Sequence, residues 1–168
     1  MTRLILVRHG ETIENEQHIM QGQTQGTLNA TGRQQARQLK EALQGEAIDV
    51  FMSSDLARAM ETCSIIAEDS GKDIVVTPLL PERNWGRFTG RYIPDLQDEP
   101  WPDDIETIEE MKARATKLLE TIKQQYPHKT VLAVGHGIIN KAIQSVYYHK
   151  TMPEIPRMSN AEARTLML

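Results

Sequence analysis

Leu6-Val7-Arg8-His9-Gly10-Glu11-Thr12 is the stretch on which the reading of this chain turns. The run Leu4 to Val7 that leads into it is short, continuous and apolar, the pattern of a buried strand. A strand ending in Arg-His-Gly carries a cation and an imidazole at its carboxyl tip. In open α/β sheets that tip is where ligands bind. Gly10 permits a sharp turn or a close approach of backbone to a ligand. Arg8 is suited to holding an anion, and His9 to attacking it or taking a proton from it. The whole run, placed directly after a strand, outweighs the alternative of a surface histidine beside a turn.

The chain has 168 residues, which predicts one domain, residues 1–168, with room for a good core. A net charge of −4 and a pI near 5.7 argue against a nucleic-acid footprint. The single cysteine, Cys63, can form no internal disulfide, which fits a reducing compartment. It falls within a predicted helix, where a buried inert thiol is expected rather than a nucleophile. The first residues lead straight into a strand with no signal-peptide pattern, and no apolar run is long enough to span a bilayer. The expectation is a cytoplasmic protein with no membrane partner.

Outward from the opening motif, Ile13 to Gly26 is polar, carries Gly22 and Gly26, and reads as an ordered active-site loop. Asn29-Ala30-Thr31-Gly32 offers caps for a helix to about Gln44, with Ala36, Leu39 and Leu43 on its apolar stripe. Asp49 to Met52 is a second strand. Ser53-Ser54-Asp55 supplies N-caps for a helix through Ala67, which places Arg58 in its first turn. An arginine there opposes the macrodipole unless an anion compensates it, and the helix's own amides favour an anion too. Ile74 to Thr77 is a β-branched third strand. Pro78 and Pro81 then bracket a connection to Glu82-Arg83-Asn84-Trp85-Gly86, a loop anchored by Trp85 and Phe88.

Prolines 94, 100 and 102 deny regular structure to Arg91–Trp101. Asp95 to Glu110 is acidic without Lys or Arg, the pattern of a solvated helix start or a charge-selective lid. Asp103 or Asp104 is expected to cap a helix to about Tyr126, with Ile105, Ile108, Met111, Ala115, Leu118, Leu119 and Ile122 facing inward. Thr130 to Val134 is a further apolar strand, and it ends in Gly135-His136-Gly137. The helix from Ile138 to about Tyr148 begins there and offers another anion site at its amino end. Ala163 to Leu168 reads as a last strand.

Arg8/His9, Arg58, Glu82 and His136 all fall at junctions that follow strands. In a mostly parallel sheet these junctions share one edge, so residues distant in sequence converge on one crevice. The residue types suit phosphoryl transfer. Arginine forks bind phosphate oxygens in paired hydrogen bonds, and two arginines with a second imidazole stabilise the transferring group without a metal. A neutral His9 is a nucleophile, and Arg8 and Arg58 favour its neutral form. The leaving alcohol needs a proton, which Glu82 supplies when protonated, a form that a nearby phosphate dianion favours. Metal binding by His9, His136 and Glu82 is the competing reading. It lacks His-x-x-x-His or Cys-x-x-Cys spacing, and the arginines would repel a cation. No metal and no cofactor are expected.

With these residues in view, the chain resembles the histidine phosphatase superfamily, in its phosphoglycerate mutase-like branch. The resemblance is carried by Leu6–Thr12 with Asn15, Gln21-Gly22, Leu28–Gly32, and Ser53–Ala59 with Glu61-Thr62. It continues through Leu80-Pro81-Glu82, Glu106–Met111 with Arg114, Gly135-His136-Gly137 and Asn160. It implies a three-layer α/β/α sandwich with a mainly parallel central sheet and a short cap. It also implies that His9 becomes a phosphohistidine surrounded by Arg8, Arg58 and His136, with Asn15 assisting and Glu82 as proton donor. Gln21, Gly22, Arg83, Trp85 and Gly137 fall where the family contacts the rest of the substrate.

The family loop Thr-Asp-Gly-Pro-Leu is here Thr24-Gln25-Gly26-Thr27-Leu28. The long insertion of the glycolytic mutases, with its paired arginines, has no counterpart between Gly90 and Glu106. The function expected is therefore metal-independent hydrolysis of a small phosphomonoester through phosphohistidine. A phosphoglycerate mutase and a catalytically silent phospho-ligand-binding protein are the alternatives, the latter disfavoured by the presence of His9, Arg58, Glu82 and His136. Sugar phosphates, phosphoglycerates, nucleotides and phosphoproteins all fit the pattern, and any oligomeric state is compatible with it.

Overall fold

The computed structural model describes residues 1–168. Five strands form one sheet: β1 (Arg3–Arg8), β2 (Val50–Ser54), β3 (Ile74–Thr77), β4 (Thr130–Gly135) and β5 (Ala163–Met167), in the order β3-β2-β4-β1-β5. All pairings are parallel except β1 with β5. The helices are α1 (Ile13–Glu16), α2 (Ala30–Ala42), α3 (Ala57–Ala67), α4 (Ile108–Gln125) and α5 (Gly137–Tyr148). This is the α/β sandwich expected, with its mainly parallel sheet.

The continuous apolar runs of β1 and β4 follow from burial on both faces. Leu4, Leu6, Val131 and Ala133 face one layer, where they pack with Met111, Ala115, Leu118 and Ile122 of α4 and with Ile139 and Ile143 of α5. Ile5, Val7, Leu132 and Val134 face the other, against Ala59, Cys63 and Ile66 of α3 and Leu39 of α2. Each large side chain of this kind stabilises the fold by roughly 1.5–3 kcal/mol. Cys63 is fully buried here, and burial pushes its thiol up to about 12, so it is inert as expected.

Several sequence expectations need correction. α4 is capped by Thr107, not by Asp103 or Asp104: Thr107 and Glu110 form a reciprocal capping box, the stronger start signal. Asp103 and Asp104 instead pair with Arg87. Ile105 precedes the helix and packs with Trp85, Phe88 and Leu96 in a small satellite core, which forms the cap. The loop Ile13–Gly26 contains the single turn α1, boxed by Thr12 and Asn15. Its residues 18–20 are stitched to the cap by backbone bonds to Gly90, Arg91 and Ile93.

α3 has no side-chain cap from Ser53–Asp55. Its first amides, Ala57 and Arg58, donate to the side chain and carbonyl of Gln25 from the α1–α2 loop. That helix end is therefore filled by the protein itself and is not an anion site. Gly10 serves neither a left-handed turn nor a ligand: a Cβ there would strike the Gly32 carbonyl, and one on Gly32 would strike Glu11. The pair lets α2 press backbone to backbone against the turn that follows β1.

Candidate active site

The register of the central strands builds the site. Arg8 lies beside Gly135 across β1–β4, so the next residues on each strand, His9 and His136, are neighbours, with ring centroids 5.0 Å apart. Glu82 arrives from the loop after β3. Arg114 holds that loop, donating to the carbonyls of Leu79 and Pro81 and forming a two-pronged ion pair with Glu106. The result is a cavity of about 340 Å³ lined by Arg8, His9, Arg58, Glu82 and Gly137 at its base. Asn15, Gln21, Gly22 and Trp85 line its walls. His136 lies fully buried behind them. Asn15 and Gln21 are steered by Thr12, which bonds to a side-chain oxygen of each.

Protonation states follow from hydrogen bonds. His9 Nδ1 is 2.7 Å from the Gly10 carbonyl, which can only accept, so Nδ1 carries the proton and Nε2 keeps its lone pair. Burial, then the Arg58 cation, pushes the His9 pKa down to about 3. Burial and the same cation hold His136 well below the usual histidine range. His136 Nε2 is 2.8 Å from Ser54 Oγ, which also accepts from the Leu56 amide. The buried Ser54 hydroxyl hydrogen has the imidazole as its acceptor, so neutral His136 carries its own proton on Nδ1.

The guanidiniums are partly engaged. Arg58, 1 % exposed, donates to the carbonyls of Gly22, Thr24 and Gln25, which shapes the loop. Burial lowers its pKa to about 10. Arg8 donates to the Met158 carbonyl, and burial followed by the Arg157 cation lowers its pKa. Arg8 Nε, Arg58 Nε and His136 Nδ1 are all buried without a hydrogen-bond partner. Such groups are costly and rare in native proteins. Two of these groups belong to residues that line the cavity with His9 and the third to the imidazole beside it, a set of donors suited to the oxygens of a phosphoryl group.

The Glu82 carboxylate accepts from the amides of Ile138, Ile139 and Arg83. The anion site foreseen at the amino end of α5 is thus largely taken by Glu82, while Gly137 remains on the cavity wall. Arg83 is not among the residues that line the cavity. Its guanidinium donates to the Glu106 carbonyl and stacks over Trp85 and Trp101 at 4.8 and 5.2 Å, bracing the cap from behind.

Sequence reasoning missed four contributors. Ser54 was readable as a polar residue at a strand tip, but local capping competed for it. Lys141, which lines the cavity, is one helical turn beyond Gly137 and was findable from that spacing. Gln25 and Arg157 lie in irregular segments that carry no local signal.

A model of the histidine phosphatase superfamily (branch 1) matches residues 4–167. The chain belongs to this superfamily. Among curated relatives, a Bacillus subtilis (strain 168) protein named uncharacterized phosphatase PhoE is 40% identical over 141 residues, covering 82% of this chain and 72% of that protein. A probable phosphoglycerate mutase GpmB from Enterobacter sp. (strain 638) is 35% identical over 152 residues, 82% of this chain and 71% of the relative. Among solved structures, a mycobacterial glucosyl-3-phosphoglycerate phosphatase in complex with VO3 superposes with a TM-score of 0.91 at 27% identity, covering 98% of this chain and 92% of that one. A phosphoserine phosphatase variant from Entamoeba histolytica, in complex with phosphoserine, gives 0.89 at 27% identity, with 99% and 91% covered. No helix of this superfamily member is long and apolar enough to cross a membrane.

Proposed function

We propose that this protein is a metal-independent phosphomonoesterase that hydrolyses a small phosphorylated metabolite through a phosphohistidine on His9, with residues 1–168 acting as one catalytic domain. The observation that carries this reading is the His9 ring. Its Nδ1 is committed to Gly10, which leaves a lone pair on Nε2 in a ring that lines the same cavity as Arg8 and Arg58 and lies 5.0 Å from the His136 ring. Nε2 attacks phosphorus, and the bond from phosphorus to the ester oxygen breaks. Arg8, Arg58 and the His136 Nδ1–H hold the non-bridging oxygens and offset the charge that builds on them. Glu82, in its carboxylic acid form, gives its proton to the leaving oxygen. Water then attacks the phosphohistidine, Glu82 takes the water's proton, and the N–P bond breaks to release inorganic phosphate. Asn15, Gln21, Gly22, Trp85 and Gly137 contact the substrate.

Relatives named or solved with small phosphorylated molecules support the substrate class. The single buried thiol suits a reducing compartment, and we place the enzyme in the cytoplasm. The mutase-named relatives keep isomerisation as the second reading, and product analysis separates the two, since a mutase releases little free phosphate. The test is acid-quench labelling with phosphorylated substrate. Wild type is expected to trap a phosphoenzyme in the presence of EDTA, and His9→Ala to trap none while melting as a folded protein. Undiminished labelling of the variant would remove His9 from the role.

A further inference from the structure

Thr62 sits on the buried face of α3, one turn beyond Arg58, among Ala59, Cys63 and Ile66. It is fully buried and is not among the residues that line the cavity. A hydroxyl in such a place is costly unless it is bonded, and its Oγ1 has two partners. It donates to the Arg58 carbonyl at 2.8 Å and accepts from the Gly10 amide at 3.1 Å. The directions are fixed, since a carbonyl only accepts and an amide N–H only donates. The bond to Arg58 is the usual habit of a threonine inside a helix, which returns its hydrogen to the carbonyl four residues back. The bond from Gly10 is not local. It joins residues 52 positions apart and reaches the turn that carries His9.

Gly10 is the residue that orients the His9 ring. Its carbonyl takes the Nδ1–H at 2.7 Å, which leaves the lone pair on Nε2. Three hydrogen bonds therefore run in series: from the His9 ring to Gly10, from Gly10 to Thr62, and from Thr62 to the main chain of Arg58. The other bonds of the turn lead elsewhere. The Glu11 amide donates to Gln35 of α2, and the His9 carbonyl accepts from Asn160 and Ala161. Those bonds fasten the turn to α2 and to the segment before β5, neither of which carries Arg58.

We propose that Thr62 is a positioning residue whose hydroxyl sets the His9 turn against the first turn of α3, so that the imidazole meets the phosphorus of a group held by Arg58. This rests on the phosphatase reading and adds to it a residue that touches neither the substrate nor the reacting atoms. Without the hydroxyl, the buried Gly10 amide loses its acceptor and regains one only if the turn moves. The arginines still bind phosphate, but the ring leaves the line of attack, and alignment of reacting atoms carries much of the barrier. A threonine that served the fold alone would affect stability and leave the alignment as it is.

Thr62→Val keeps the shape and removes both bonds, while Thr62→Ser keeps the hydroxyl. Ile66→Val, farther along the same helix, is a destabilised control with no bond to the site. On 4-nitrophenyl phosphate, Thr62→Val is expected to lose about 10–100-fold in kcat/KM, Thr62→Ser to recover most of it, and Ile66→Val to match the wild type. Inhibition separates alignment from binding. Vanadate takes a fifth ligand as phosphorus does in the transition state, so its affinity should fall by about the same factor as kcat/KM. Inorganic phosphate should bind Thr62→Val within about 2-fold of the wild type, because the arginines that hold it are unchanged. Nitrogen-15 NMR of His9 reads the geometry without turnover: Nδ1–H in the wild type and in Thr62→Ser, a mixture of tautomers in Thr62→Val. A folded Thr62→Val that keeps its kcat/KM and vanadate affinity as Ile66→Val does would overturn the proposal and leave the phosphatase reading intact. So would a loss that Thr62→Ser shares in full. If the wild type releases no phosphate, the phosphatase reading fails, and the His9 spectrum decides: an unaltered Nδ1–H in Thr62→Val overturns the positioning role, and a mixture supports it. Should Thr62→Val not fold, Thr62→Ala takes its place with the same readouts.

Discussion

The Ser54 hydroxyl lies 2.8 Å from His136 Nε2, and the two residues come from the tips of adjacent strands, β2 and β4. This contact decides which nitrogen of the second imidazole carries the proton. With Ser54 donating to Nε2, the proton stays on Nδ1, the nitrogen that has no partner in the protein.

Ser54→Ala is expected to free the tautomer while leaving the ring in place. One hydrogen bond of this kind is worth about 1 kcal/mol, so kcat should fall on the order of 10-fold with KM little changed. Nitrogen-15 NMR of the imidazole is the decisive readout: Nδ1–H in the wild type, a mixture in the variant. An unaltered tautomer with normal kcat would remove Ser54 from the mechanism.

Glu82→Gln separates proton donation from loop ordering. Alkyl phosphates leave as basic alkoxides and need the proton, whereas 4-nitrophenyl phosphate leaves as a stabilised phenolate. The variant should slow alkyl esters by about 10²–10⁴-fold and the nitrophenyl ester far less, with phosphoenzyme still formed from the latter. Equal losses in kcat/KM for both would sink the general-acid role. Because Glu82 also caps α5, the variant should lose about 1 kcal/mol of stability as well, seen in its denaturant midpoint.

The two buried histidines make stability depend on pH. Their folded pKa values lie below the unfolded value, near 3 for His9 and well below 6.5 for His136. As pH falls below about 6.5, the unfolded chain takes up protons that the native state refuses, so stability drops. The penalty is absent above about pH 7 and reaches about 2 kcal/mol for His9 at pH 5, with a further contribution of the same sign from His136. NMR should show both rings neutral from pH 8 to pH 5, and a midpoint near 6.5 for either would refute the burial argument. As the proposed nucleophile, His9 would need no deprotonation in this range, so no acid limb of kcat/KM near pH 6.5 is expected from it.

Gly32→Ala tests the close approach behind the motif. A Cβ there would meet the Glu11 backbone, which has no side chain to swing aside, and overpacking of this kind costs about 1–3 kcal/mol. Activity should fall with stability, because the turn carrying His9 must shift. Gly71→Ala is the comparison: nothing lies within 4 Å of it, so its left-handed backbone leaves only local strain of about 1 kcal/mol. A Gly32→Ala protein as stable as its Gly71→Ala counterpart would contradict the packing.

The amino-acid sequence by itself determined the strands, the layers and the chemistry-bearing residues at the strand tips. Leu4–Val7 and Val131–Val134 are apolar at every position because both sheet faces are covered, and that is written locally in the chain. So is the position of Arg8, His9, Arg58, Glu82 and His136 just past strand ends, where a parallel sheet gathers its ligands. Only the tertiary structure decided the partners. That β4 lies between β1 and β2 makes Ser54, His136 and His9 a row, although Ser54 read alone is a helix cap. That Glu82 docks on α5 and Arg83 turns away to the tryptophans depends on Arg114 holding the loop from α4. Arg157 joined the cavity lining from an irregular segment with no strand-tip signal. A side chain's partner dozens of residues away depends on strand order and register. Those are settled by the packing of all the layers at once, and no window of sequence contains them.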